Sequence, residues 1–276
     1  MTSLAYVLRL NSASCLGFGG LFVLIPDIVA DTLGAAPPIA VFGLGILLLV
    51  NGVHLAIASL RKRPNRLEII WFSISDMVWW LASLGLIAAG VWVTSATGIT
   101  LALLVAIGVA ALGLAQLFIL GREASGLTKS GHWRRIGQSW LSLPVWVKIW
   151  LVALNAVFLA APAFLPLSAA SIILIAFVAS GPLLLGFAVH AGGLTRAMGI
   201  GHLLPWTPLL LWLIWEGCLL NDGLMQSEPM QLTYVWLLGL MLSVCLAFDL
   251  YDLARWWHGD RDILLITAKD DRSRLP

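Results

Sequence analysis

Apolar residues run through the chain in long stretches that are separated by short polar segments. Each stretch has about 20 residues, the length that an α-helix needs to cross roughly 30 Å of hydrocarbon. The stretches are apolar all round and lack the alternating polarity of membrane β-strands. The pattern therefore predicts an all-α fold, a polytopic transmembrane bundle. The eight predicted helices are Leu4–Ile25, Ala40–Leu60, Leu67–Gly90, Ile99–Leu120, Val145–Leu165, Ala169–Ala191, Leu203–Leu220 and Leu232–Leu253.

The charged residues between these helices are sorted by sign. Lys and Arg occupy every second connecting segment, whereas the segments on the opposite side carry only acids. Short cytoplasmic loops retain basic residues, so both termini are predicted to be cytoplasmic. The basic residues are Arg61, Lys62, Arg63, Arg66, Arg122, Lys129, Arg134, Arg135, Arg196, Arg255, Arg261, Lys269, Arg272 and Arg274, and the acids are Asp27, Asp31, Asp222 and Glu228.

Composition agrees with a membrane location. Of 276 residues, 60% are hydrophobic and 11% are charged, and the mean hydropathy is +0.96. Soluble proteins carry about 25% charged residues, so this chain cannot form a water-facing shell. The net charge of +2 is explained by the loops and does not indicate nucleic-acid binding. The bilayer is the expected partner, and a homo-oligomer or another membrane protein is a further candidate.

The polar stretch around GREASGLTKSGHWRR divides the chain into two halves. We expect four helices in residues 1–121, a cytoplasmic linker at 122–144, four helices in 145–257 and a short cytoplasmic tail at 258–276. GILLLVNGVH, ending at His54, matches GPLLLGFAVH, ending at His190, at six of ten positions. Two parallel four-helix repeats, related by an axis along the membrane normal, are therefore predicted.

Ionisable residues inside predicted helices are the first candidates for chemistry. Such a group costs roughly 2.5 to 3.5 kcal/mol on insertion scales and normally faces protein or a water-filled cavity. Each half places a basic residue on its first helix and an acid on its third, namely Arg9 and Asp76, then Lys148 and Glu216. We expect these residues to handle an ion or substrate, with an Arg9–Asp76 ion pair as the most specific hypothesis. Structural pairing that fixes helix register is the alternative.

Polar residues on the second and sixth helices form a weaker set. His54 and His190 end these helices at similar predicted depth, and Asn51 lies one turn before His54. Two facing imidazoles are able to hold haem or relay protons, although solvated histidines and packing amides are commoner. We therefore expect no cofactor. The three cysteines form no CxxC and are expected to pack as apolar residues, so no metal site is predicted.

Two further patterns concern packing. The fourth helix carries small residues suited to close helix contact, within the bundle or across a dimer, including Gly108 and Gly113. Near the end of the eighth helix, Asp249, Asp252 and Arg255 predict an interfacial charge cluster.

The N-terminal half contains LRLNSAS, FVLIP and SDMVWWLAS and resembles small four-helix bacterial membrane proteins. This resemblance covers less than half of the chain and implies a bacterial cytoplasmic (inner) membrane.

Three functions remain open at this point. A transporter or permease for an ion or small solute would use the intramembrane acids as binding or coupling groups. A non-catalytic scaffold or assembly subunit of a membrane complex would use them for packing. An intramembrane redox protein or enzyme would use the histidines or acids, but the chain has no dinucleotide, phosphate-loop, HExxH or GxSxG motif.

Overall fold

The computed structural model describes residues 3–61, 64–215 and 228–263, and its regular structure is helical throughout these residues. The chain divides after Gly126 into two compact units. The first unit contains α1 (Ser3–Leu24), α2 (Pro26–Leu33), α3 (Pro38–Leu60), α4 (Arg66–Ala89) and α5 (Ala96–Ser125). The second contains α6 (Lys129–Leu141), α7 (Val145–Leu159), α8 (Ala161–Phe164), α9 (Leu167–Ala191), a 3₁₀ turn (Arg196–Met198), α10 (Gly199–Ile214) and α11 (Pro229–Trp257).

Seven of the described helical segments are long and apolar enough to cross a bilayer. These are α1, α3, α4, α5, α9, α10 with its preceding 3₁₀ turn, and α11. An eighth crossing results if α6 and α7, which meet at an angle of 92°, count as one span. Large apolar side chains such as Leu47 and Leu240 point outward with more than half of their surface exposed. The predicted all-α membrane bundle is confirmed.

The fifth predicted helix, Val145–Leu165, differs most from a simple span. α7 has 15 residues and so extends only about 22 Å. A single residue with helical dihedral angles, Ala160, joins it to the four residues of α8. Pro162 has no backbone N–H to donate, which explains the interruption. The two helices together cover the predicted segment.

The predicted linker at 122–144 is largely helical. α5 continues past the predicted end at Leu120, and α6 follows after a short turn. Thr128 caps α6 by accepting a hydrogen bond from the Gly131 N–H at 3.1 Å. The helix then packs within the second unit, where Arg135 donates to the carbonyls of Gly192 and Ala191 at 3.0 and 3.1 Å. This segment caps the end of α9 by supplying donors for its last carbonyls.

Helix pairs build the first unit. α1 packs along α3, α4 packs along α5, and α1 also contacts α5. The buried face of α5 uses the small residues Ala106, Ala110 and Gly113, which recur at helical spacing. Gly108 lies on the exposed face of the same helix. Of the predicted small residues, those on the buried face of α5 therefore make contact within the bundle, whereas Gly108 does not.

In the second unit, α10 packs against α9 and α11 around a core that includes Phe158, Trp206 and Leu242. α9 continues through Pro182 as one helix, with the Ser180 hydroxyl donating to the Phe177 carbonyl at 2.7 Å. In the first unit the short α2 lies between two long helices, α1 and α3, whereas in the second unit the short α8 lies between α7, which has only 15 residues, and the long α9. The repeat stays a prediction, because Glu216, the counterpart of Asp76, lies outside the described residues.

Candidate functional site

Asp76 is the centre of the candidate site. It lies near the middle of α4 and only 3% of its surface is exposed. Its Oδ2 atom accepts hydrogen bonds from the Asn11 amide on α1 at 2.9 Å and from the Gln116 amide on α5 at 3.1 Å. Both amides are fully buried. Three helices therefore converge on one carboxylate inside the bundle.

Close helix contact makes this convergence possible. A Cβ atom at Gly113 of α5 would lie 2.9 Å from the Cβ atom of Asp76 and 3.3 Å from its Oδ2. Only glycine allows α5 to approach α4 this closely, and the approach brings Gln116, one turn later, within reach of the carboxylate. Hydrogen bonds from amides reduce the cost of burying an acid in a medium of low dielectric constant.

A cavity of about 420 Å³ borders this carboxylate. α3 and α4 form its two sides, and residues of α1 and α5 complete it. Its polar lining consists of Ser14, Cys15, Asn51, His54, Ser75 and Asp76, and the remaining lining is aliphatic or aromatic. Leu47, Val50 and Trp71 form part of this lining and are each more than half exposed, so the cavity opens sideways between α3 and α4.

A chain of polar contacts links the cavity wall to Asp76. The Asn51 side-chain amide donates to the Cys15 sulfur at 3.6 Å, and the Cys15 thiol donates to the Asn11 side-chain oxygen, Oδ1, at 3.8 Å. Asn11 in turn donates to Asp76. Cys15 is buried, as expected for a packing residue, but it also joins two amides. Contacts to sulfur are individually weak, so we regard this chain as an orienting network.

His54 lies at one end of the cavity. Its Nε2 atom is 3.3 Å from the Glu68 carboxylate, and its ring meets Phe72 edge to face at 4.8 Å. Arg61 also pairs with Glu68, at 2.6 Å. The imidazole side chain is 43% exposed. His54 thus belongs to a charged group at the junction of α3 and α4.

The other predicted site residues lie elsewhere. Arg9 is exposed on α1, two residues and therefore about 200° from the buried Asn11 that bonds Asp76. The carboxylate thus meets two amides where we expected the Arg9 guanidinium. Lys148 donates to the Leu141 carbonyl at 2.7 Å and caps the end of α6. His190, near the end of α9, belongs to the second unit, whereas His54 belongs to the first.

Asn11 and Gln116 are the site residues that sequence reasoning missed. Neither residue was assigned to the site from the sequence, although both are amides in otherwise apolar helices. An amide in such a helix signals a polar partner, but the sequence does not identify that partner. No family model, curated protein or solved structure matches this chain. A function for this protein is therefore inferred from the geometry of its own residues.

Proposed function

We propose that this integral membrane protein is a transporter or permease for small, largely apolar cations, which bind at Asp76. The observation that carries the proposal is the cavity of about 420 Å³ that reaches a buried carboxylate and opens between α3 and α4. Its volume falls within the range of small-molecule sites and is larger than a bare ion requires. Aliphatic and aromatic walls around one acid suit an organic cation better than an anion or a sugar.

Aromatic side chains strengthen this choice of substrate. Trp71 and Trp79 of α4 and Phe18 of α1 line the same cavity. A cation over an aromatic face gains about 0.5 to 2 kcal/mol, with the larger values at sites without water. The carboxylate then supplies the charge, and the sideways opening gives a solute dissolved in the bilayer a direct route.

The expected orientation follows from the loop charges. We propose a bacterial inner membrane with both termini in the cytoplasm, because basic residues occupy every second connecting segment of the sequence, whereas the intervening segments carry only acids. Reporter fusions at each terminus test this assignment. An outward-facing reporter at either end would contradict it.

The binding test uses a matched pair of probes. Benzyltrimethylammonium and its uncharged carbon isostere, neopentylbenzene, have nearly the same shape. The full-length protein in nanodiscs is titrated with each and followed by tryptophan fluorescence, and uptake of radiolabelled benzyltrimethylammonium is measured in proteoliposomes. Asp76→Asn should weaken cation binding at least tenfold, equivalent to 1.4 kcal/mol, and abolish uptake. Binding of the uncharged isostere should change little.

Asp27→Asn is the control, because this acid is exposed on α2, away from the cavity. Unchanged cation binding and uptake in folded Asp76→Asn protein would refute the proposal.

A non-catalytic scaffold or assembly subunit is the second candidate. The observation that favours it is the pair of amide donors on Asp76, since a hydrogen-bonded acid is able to fix helix register without any substrate. This role predicts that Asp76→Asn lowers stability, and that neither wild type nor variant takes up the cation. A redox protein or enzyme is the third candidate, and no described contact specifically favours it.

A further inference from the structure

A second polar cluster lies in the other unit, apart from the cavity at Asp76. His202 stands in the first turn of α10, and Cys245 and Asp249 stand one turn apart on α11. The His202 Nδ1 atom is 3.0 Å from the Asp249 Oδ2 atom, and the Cys245 sulfur is 3.7 Å from the same oxygen. The three potential ligand atoms all lie within 4.8 Å of one another.

Packing holds each of the three side chains in place. Trp206 stacks on the His202 ring at 4.1 Å and nearly parallel to it. Gly199 lies against Asp249, where a Cβ atom would come within 3.0 Å of the Asp249 Cβ and carbonyl oxygen. Cys245 is buried, and the other two side chains are 15% and 17% exposed. Little rearrangement is therefore open to them.

The neighbouring charges have their own partners. Arg196 donates to Asp252 at 2.8 Å and to Asp260 at 2.9 Å, and Arg255 donates to Asp260 at 2.6 Å. The predicted charge cluster at the end of α11 thus separates into two parts. Asp252 joins the arginines, whereas Asp249 turns towards an imidazole and a thiol.

We propose that His202, Cys245 and Asp249 form a binding site for a divalent transition-metal ion of the Zn²⁺ type. Zn²⁺ binds cysteine sulfur, histidine nitrogen and carboxylate oxygen at about 2.0 to 2.3 Å in tetrahedral geometry. Such bonds place ligand atoms roughly 3.3 to 3.6 Å apart. Two of the three separations, 3.0 and 3.7 Å, differ from this range by only a few tenths of an ångström, and the third, between the His202 nitrogen and the Cys245 sulfur, is at most 4.8 Å.

Charge balance favours the same conclusion. Binding releases the thiol proton to solvent, and the imidazole keeps its own proton on Nε2, so the three ligands carry two negative charges. A divalent ion makes the complex neutral, which suits a membrane protein. Mg²⁺ and Ca²⁺ prefer oxygen ligands, and the thiol selects a softer ion. The fourth position is left for water or a solute.

The test uses the full-length protein in detergent. After equilibrium dialysis against micromolar ZnCl₂, metal content is measured by mass spectrometry, and Co²⁺ is used as a spectroscopic probe. We expect one Zn²⁺ per chain and, with Co²⁺, both a thiolate charge-transfer band and the visible bands of a tetrahedral ion. Cys245→Ser should abolish the charge-transfer band. Cys15→Ser, which changes a buried thiol of the first unit, is the matched control and should keep it.

Variants of the other two ligands keep the proposal testable if Cys245→Ser does not fold. Loss of an outer-shell partner typically weakens metal binding by about 10 to 100-fold, so loss of a direct ligand should exceed this range. Folded Asp249→Asn or His202→Gln protein that binds Zn²⁺ as tightly as wild type would overturn the assignment. Wild-type protein that retains no Zn²⁺ after dialysis, or a Co²⁺ spectrum without a thiolate band, would also overturn it.

Discussion

The contact between α4 and α5 at Gly113 offers a sharp test of the structure. Gly113→Ala adds one methyl group whose carbon would lie 2.9 Å from the Asp76 Cβ and 2.9 Å from the Met77 Cε. The Met77 methyl is the far end of a flexible side chain and is able to move. The Asp76 Cβ is attached directly to the α4 backbone, so relief at this contact requires the two helices to separate.

The magnitude follows from two opposing terms. Overpacking a buried contact typically costs about 1 to 3 kcal/mol. Replacing glycine by alanine within a helix is itself favourable by roughly 0.5 to 1 kcal/mol. Gly108→Ala is the matched control, because Gly108 lies on the same helix and a Cβ atom there meets nothing within 4 Å. The favourable effect of alanine on helix stability is the same in both variants, so their difference reports the overpacking alone. We expect Gly113→Ala to be less stable than Gly108→Ala by about 1 to 3 kcal/mol.

Equilibrium unfolding of the purified protein in mixed detergent and SDS micelles, followed by circular dichroism, measures this difference. Cation binding by the two variants should differ in the same direction, because separating α5 from α4 moves Gln116 away from Asp76. Equal unfolding free energies for the two variants would refute the close contact between these helices. They would also remove the explanation given above for how Gln116 reaches the carboxylate.

Two comparisons between arginine variants of the second unit give further predictions, and the same unfolding assay measures both. Arg196→Gln removes a mostly buried guanidinium that donates to two carboxylates, and should cost about 1.5 to 3 kcal/mol. Arg255→Gln removes an exposed guanidinium that pairs with Asp260 and lies over the Tyr251 ring at 5.9 Å, and it should cost about 0.2 to 1 kcal/mol, so equal losses for the two variants would contradict the geometry. Arg135→Gln should cost about 1.5 to 3 kcal/mol by removing donors to the last carbonyls of α9. Arg134→Gln, at an exposed position of the same helix, should stay within about 0.5 kcal/mol, and a matching loss there would contradict the capping role of α6.

The helical spans could be predicted from the sequence because the length and uniform apolarity of a segment are local properties. α3 and α4 begin within two residues of the predicted positions. α6 was missed because it is only 13 residues long and carries His and Arg on one face. Its stability comes from capping α9, a tertiary contact that hydropathy does not reveal.

The candidate site was predicted only in part, because the sequence reveals local properties but not tertiary contacts. An acidic residue within an apolar segment is visible from the sequence alone, and Asp76 was found in this way. Its partners depend on the rotation of α1, α4 and α5 about their own axes, which the apolar composition of these helices does not specify. The group of His202, Cys245 and Asp249 was missed because His202 lies more than 40 positions before the other two residues and the three match no short motif. Only the packing of α10 on α11 brings them together.

The partners of Asp76 change what its burial implies. An ion pair with Arg9 would neutralise the carboxylate inside the protein, and a cationic solute would have to displace a tethered guanidinium. Asn11 and Gln116 donate hydrogen bonds but carry no charge, so they do not occupy the carboxyl group with an ion pair. Both amides bond the same oxygen, Oδ2, on the side where α1 and α5 meet α4. Asp76 therefore combines two fixed hydrogen-bond donors with a neighbouring cavity, and this combination supports the proposed reversible binding of a cation.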